Sequence, residues 1–201
     1  EERMFHLDLL GDENNFPFLH KEQTPDVLSA YFDIGESKPD IVVIIVEGLG
    51  RSFHNQGAYL GSFTPFLDSL SQHSLYWENF LSNGGRTFAV LPSLLASLPF
   101  GEHGASDMDK LPAHLSLVSI LKHNGYRTSF FYGGKSSFDN MNRFMRRQQI
   151  SAVVDEEKFS SQLEKLPAYN GFSWGYSDGA LYKQFFADKN NRSNSDPSLD
   201  V

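Results

Sequence analysis

The chain has 201 residues, room for one α/β domain with a sizeable core. Its 25 acidic residues outnumber 17 basic ones, and the net charge of -8 argues against nucleic acid as a partner, which needs a basic footprint. There is no Cys, so disulfides, thiolate nucleophiles and Cys-zinc sites are excluded.

Residues 1–37 are mixed and polar, with the breakers "NNFPF" and "KEQTPD", and read as an arm or lead-in. No stretch nears the roughly 20 apolar residues of a membrane span, and no signal peptide is visible. The opening "EERMFHLDLL" lacks an initiator Met, so the chain is expected to follow an upstream segment. "DIVVIIVE", residues 40–47, is a continuous β-branched apolar run, as in a strand buried on both faces of a parallel sheet. "TPFLDSLSQHS" carries a capping Thr64, Pro65 at the first helical position, and Phe66, Leu67 and Leu70 at helical spacing. "LYWENFLS" reads as a short strand and "NGGRT" as a loop. "TFAVLPSLLASLP" is an apolar helical stretch that Pro92 must start, kink or interrupt.

"LSLVSILKHNG" reads as a helix with Gly125 past its end. "YRTSFFYGG" is a strand running into a glycine turn, "FDNMNRFMRRQQ" an amphipathic helix, "ISAVVDE" a strand and "DGALYKQFFAD" a final helix. Strands alternating with helices predict an α/β fold with a mainly parallel sheet flanked by helices. Residues 38–188 form the body of the domain, and residues 189–201 read as a polar, mobile tail.

Ligands of open parallel sheets bind beyond the carboxyl ends of the strands, which is where Glu47 falls. Gly48 and Gly50 let the backbone turn there and let a ligand approach. A carboxylate at that edge suits a hard cation; it equally suits loop amides or the cap of the next helix. Thr87 follows two glycines and Arg86 and precedes a helical stretch. Near a metal its hydroxyl can become a nucleophile; otherwise it is an N-cap. Arg86 is either a phosphate contact or a surface arginine.

Taken together, "KPDIVVIIVEGLGRSF", "TPFLDSL" and "GRT" resemble the alkaline phosphatase superfamily. Within it they are most similar to the sulfatase-like branch of lipoteichoic acid synthases and other phosphoglycerol transferases. "FFYGG" with "FDNMNRF", and "FSWGYSDGALYKQFF", are similar to later segments of that branch, so the resemblance runs over about residues 38–188.

The resemblance implies that Glu47 is a metal ligand and that Thr87 is both metal ligand and nucleophile. By the same implication Thr87 attacks a phosphodiester, forms a phosphothreonine, releases a diglyceride-like alcohol and passes the phosphoryl group to an acceptor. The implied cofactor is a divalent cation, Mn2+ ahead of Mg2+ or Zn2+. The implied partners are a membrane lipid head group as donor and a glycan or other alcohol as acceptor. The implied setting is extracytoplasmic, with an anchoring membrane segment upstream.

Two departures stand out. A Trp and an Arg that contact the glycerophosphate head in lipoteichoic acid synthases fall here on Asp139 and Met141, with Arg143 nearby. The branch also completes its metal site with an Asp-His pair and a further His, and this chain has no Asp-His dipeptide. His54 and His103 lie in loops near the proposed site; His73, His114 and His123 fall on predicted helices. The chain is therefore expected to be the N-terminal half of a catalytic domain, binding metal poorly and turning over little by itself. Competing readings are a phosphoethanolamine transferase, a phosphodiesterase or sulfatase-like hydrolase, and a degenerate binding module. A true sulfatase needs a Cys or Ser in a Cys/Ser-x-Pro-x-Arg setting, which Thr87 lacks.

Overall fold

The computed structural model describes residues 25–32, 35, 37–82, 84, 87–98, 104–111, 114–192 and 197–201. The chain divides into two units. The first comprises residues 1–39 and 112–114. Its described part holds a single helical turn, Ser29–Tyr31, opened by Asp26, whose carboxylate accepts the N–H groups of Leu28 and Ser29.

The second unit, residues 40–111 and 115–201, carries the sheet. Its described elements in chain order are β1 (Ile41–Val42), α1 (Pro65–Ser71), α2 (Val90–Ala96), α3 (Leu117–His123), β2 (Arg127–Phe131), α4 (Met141–Arg147), β3 (Ala152–Val154), α5 (Asp178–Asn191) and β4 (Ser198–Asp200). The four strands are all parallel, in the order β1-β4-β2-β3. Leu199 lies opposite Ile41 on one side and Thr128 on the other, and Phe130 lies opposite Val153.

Helices cover both faces, as a parallel sheet requires. One core gathers Leu91 and Leu95 of α2, Val118 of α3, and Phe144 and Met145 of α4 around Phe130 and Leu199. The other packs Phe131 and Val154 against Phe159, Leu181 and Phe185. The pleat of β2 explains the division, since neighbouring residues Phe130 and Phe131 point to opposite faces.

Several sequence expectations need correction. Residues 198–200, read as part of a mobile polar tail, form a buried strand between β1 and β2. Only Leu199 in it is apolar. Ser198 and Asp200 are tolerated because ions satisfy them: Asp200 is bonded to Arg192 Nη1 at 2.7 Å and to the Ser198 hydroxyl at 2.8 Å, with Lys189 at 3.6 Å.

The apolar run is not buried on both faces. Ile41, Val43 and Ile45 pack on the core, while Val42, Ile44 and Val46 are 49%, 61% and 56% exposed. β1 is an edge of the described sheet rather than a central strand. "LYWENFLS" forms no strand; Trp77, Phe80 and Leu81 are exposed there. The helix expected from Phe138 starts at Met141, after a turn in which Asp139 and Asn140 are left-handed. Pro92 sits in the first turn of α2, where its missing N–H has no partner to lose.

Candidate active site

Glu47 lies beyond β1, whose pairing ends with the Val43 N–H on the Asp200 carbonyl, and Gly48 turns the backbone behind it with a φ of +71° that favours glycine. The Gly50 N–H closes this turn on the Gly48 carbonyl at 3.0 Å. Thr87 opens a short 3-10 turn, Thr87–Ala89, that leads into α2. It is not the cap of that helix, because Ala89 occupies the N-cap position. Its hydroxyl instead donates to Glu47 Oε1 at 2.7 Å. Both residues are exposed, so the pair is open to a ligand.

Tyr132 follows β2 and joins this neighbourhood. Burial pushes its phenol above the usual range, and the charges of Glu47 and then Asp139 push it further. The segment after it is tightly built. The Tyr176 N–H donates to the Gly133 carbonyl at 2.8 Å, so residues 174–176 cross residues 133–134. A Cβ on Gly175, whose φ is +92°, would overlap the Gly133 carbonyl oxygen and stand 2.8 Å from Gly134 Cα. Beyond the glycines, buried Ser136 donates its hydroxyl to Asp155, which also accepts the Ser136 N–H at 3.3 Å. That anchors the turn bearing Asp139.

Glu47 and Thr87 are thus brought together. Arg86, His6, His20 and His103 lie outside the described residues. His54 is committed elsewhere: its Nδ1 lies 2.6 Å from the Thr64 hydroxyl and 3.5 Å from Asp68, and its ring meets Tyr76 edge-on. His73 and His123 are exposed. Arg143 pairs with Asp109 at 3.2 Å, on the opposite side of its helix from the core. Met141 is buried in the core, so of the two departing positions only Asp139 remains available to a substrate. Tyr132 was not singled out by sequence, and Asp139 entered there only as a departure from the head-group contacts of the branch; the signal for Tyr132 was a strand end, "FFYGG", running into two glycines.

The oxygen donors of Glu47 and Thr87 have the chemistry a hard divalent cation prefers. Among the described residues no group of three or more His, Cys, Asp or Glu converges to hold a metal. These residues therefore offer two of the three or four protein ligands a stable divalent site uses.

A family model described as Sulfatase matches residues 39–197. Among solved structures, a protein in the alkaline phosphatase superfamily from Vibrio parahaemolyticus superimposes with a TM-score of 0.69 at 25% identity, covering 83% of this chain and 40% of its own. The lipoteichoic acid synthase LtaP from Listeria monocytogenes superimposes with a TM-score of 0.62 at 21% identity, covering 81% and 39%. The chain spans about two fifths of the length of these structures.

Proposed function

Because the chain belongs to the Sulfatase family and has the alkaline-phosphatase-like fold, we propose that it carries part of a metal-dependent phosphoryl transferase centre in which Thr87 is the nucleophile. The donor in this reading is a phosphodiester such as a glycerophospholipid head group, as in phosphoglycerol transferases. The acceptor is a glycan or another alcohol. The observation that carries the reading is the 2.7 Å hydrogen bond from Thr87 to Glu47.

That bond gives the Thr87 proton a carboxylate to move toward as the oxygen attacks. The Thr87 oxygen forms a bond to phosphorus, the bond from phosphorus to the lipid alcohol breaks, and that alcohol leaves with the proton that Glu47 took from Thr87. In the second half the acceptor oxygen forms a bond to phosphorus, the bond from phosphorus to the Thr87 oxygen breaks, and the acceptor's proton passes to Thr87. Glu47 and Thr87 would hold the divalent cation, of the manganese type, which supplies Lewis acidity toward the hydroxyl and offsets phosphoryl charge. Arg86 adds a cation one residue before the nucleophile in the sequence. With two donors from the described residues, the 201 residues alone are expected to turn over little.

In this proposal the chemistry takes place on a membrane surface, outside the cytoplasm as the sequence resemblance implies. Among the described residues no helix is long and apolar enough to cross a membrane. The test is to incubate the full-length protein with a phosphodiester and manganese, quench in acid, and map the phosphate by mass spectrometry. A phosphorylated Thr87 is expected; turnover with phosphate on no threonine overturns the assignment.

A further inference from the structure

A cavity of about 470 Å³ opens at the amino ends of β2 and β3, beside the last turn of α5. Because the strands are parallel, it lies at the opposite edge of the sheet from Glu47, which follows the carboxyl end of β1. Arg127 and Ser129 line it from β2, Ala152 and Val154 from β3, and Asp188 from α5. Arg127, Ser129 and Phe131 alternate onto one face of β2. The cavity therefore continues the core that Phe131 and Val154 make with Leu181 and Phe185.

At that depth a parallel sheet calls for apolar side chains. Ser129 is instead 1% exposed, and among the described residues nothing bonds its hydroxyl. The buried hydroxyls beside it are both bonded, Thr128 to Ser151 at 3.2 Å and Ser198 to Asp200 at 2.8 Å. A buried hydroxyl without a partner costs free energy, and a ligand in the cavity removes that cost. Charge is also left over on both walls. Arg192 borders the cavity but is spent, bonded to Asp200 at 2.7 Å and lying over the Phe131 ring. Arg127 is exposed and among the described residues meets no carboxylate. Asp188 accepts the Gln184 amide at 2.9 Å and among the described residues has no cation. The end of α5, a helix of 14 residues, adds partial negative charge on the side of Asp188. One wall thus favours an anion and the other a cation.

We propose that this cavity binds a small zwitterion, a free α-amino acid or a dipeptide. Its carboxylate meets Arg127 and the Ser129 hydroxyl, its ammonium meets Asp188, and its apolar part lies on Ala152 and Val154. Each charged end gains a charge-assisted hydrogen bond. A simple anion would meet Arg127 against the repulsion of Asp188, and a simple cation would face the reverse; only a ligand carrying both charges satisfies both walls. The volume falls within the range of small-molecule sites. The site is separate from Glu47 and Thr87 and does not depend on the phosphoryl-transfer reading.

The test is calorimetric titration of the full-length protein with leucine and with alanyl-leucine. Isocaproate, which lacks the amine, and isoamylamine, which lacks the carboxylate, are the controls. Saturable binding of leucine or of alanyl-leucine is expected, and the tighter of the two tells amino acid from dipeptide. Both controls should bind at least about 10-fold more weakly, as loss of one charge-assisted contact implies. Arg127→Gln and Asp188→Asn should each weaken the zwitterion by about 10-fold or more. Asp188→Asn keeps an oxygen for the Gln184 amide, so the helix end is preserved. Thr87→Ala should leave binding unchanged. Four results overturn the proposal: no saturable binding of either zwitterion, a control that binds as tightly, affinity that survives Arg127→Gln, or affinity lost with Thr87→Ala. The controls on the parent protein decide the matter even where a variant fails to fold.

Discussion

The hydroxyl of Thr87 and the carboxylate of Glu47 meet at 2.7 Å across 40 residues of sequence. One side chain comes from the segment after β1 and the other from the turn that leads into α2. Such a pair has the geometry of a nucleophile beside a proton acceptor. Thr87→Ala in the full-length protein should lower phosphodiester turnover by roughly 10³-fold or more, as loss of an attacking atom does. Ser82 is no substitute, since its hydroxyl is bonded to the Gly84 carbonyl at 2.6 Å. Thr87→Ser keeps the attacking oxygen and should retain measurable rate in a steady-state assay.

Glu47→Gln keeps the shape of the side chain and removes its charge. Divalent-cation affinity of the full-length protein should fall roughly 10-fold or more, because hard cations depend on anionic oxygen. Manganese titration by calorimetry or paramagnetic resonance reads this directly. Unchanged affinity would remove Glu47 from the metal site while leaving its contact with Thr87 intact.

Gly175→Ala forces a Cβ into the backbone of Gly133 and Gly134 at a φ of +92°. Neither neighbour is a flexible side chain that can step aside. A loss of about 2–4 kcal/mol is expected from overpacking and left-handed strain together. Urea denaturation measures it. Because Tyr132 and Asp139 flank this crossing, activity should fall with stability.

Leu199 is fully buried and lies opposite both Ile41 and Thr128. Leu199→Ala should cost about 2–4 kcal/mol through lost burial and the cavity left behind. Chemical denaturation with a fluorescence readout tests this; a change below about 0.5 kcal/mol, the range of ordinary surface positions, would mean that β4 does not carry the sheet.

Asp40 is held below its usual range, first by the Lys189 ammonium at 2.8 Å and then by the Ser198 N–H at 2.8 Å. A carboxyl group whose folded pKa is depressed contributes stability above its unfolded value, here 3.8, and loses it as pH falls toward the folded value. The side chain is 48% exposed, so the contribution is under about 1 kcal/mol. Asp40→Asn should therefore be slightly less stable than the parent at pH 7, and the gap should close below pH 3.8 in a series of thermal melts.

The α/β class and the helices after Thr64 and Ser116 were legible because local chemistry announces them. β-branched runs, helix-starting residues and glycines fix the backbone wherever they sit. Glu47 and Thr87 were found by motif, although nothing local in the sequence brings them within a hydrogen bond. The hydrophobic pattern also failed at β4. "SLD" has one apolar residue, and its two polar ones are buried because Asp40, from a distant part of the chain, and Lys189 and Arg192, from the end of α5 and the residue after it, satisfy them.

The composition of "VVIIV" promised burial on two faces, yet the exposed side of Val42, Ile44 and Val46 follows from which strands lie beside it. The left-handed backbone at Asp139 was likewise invisible, because its causes are contacts to Asp107 and Asp155 rather than a glycine in the sequence. The sequence by itself determined which residues have the chemistry to act. Tertiary structure decided which of them meet, because parallel pairing and buried ion networks join segments that share no local signal.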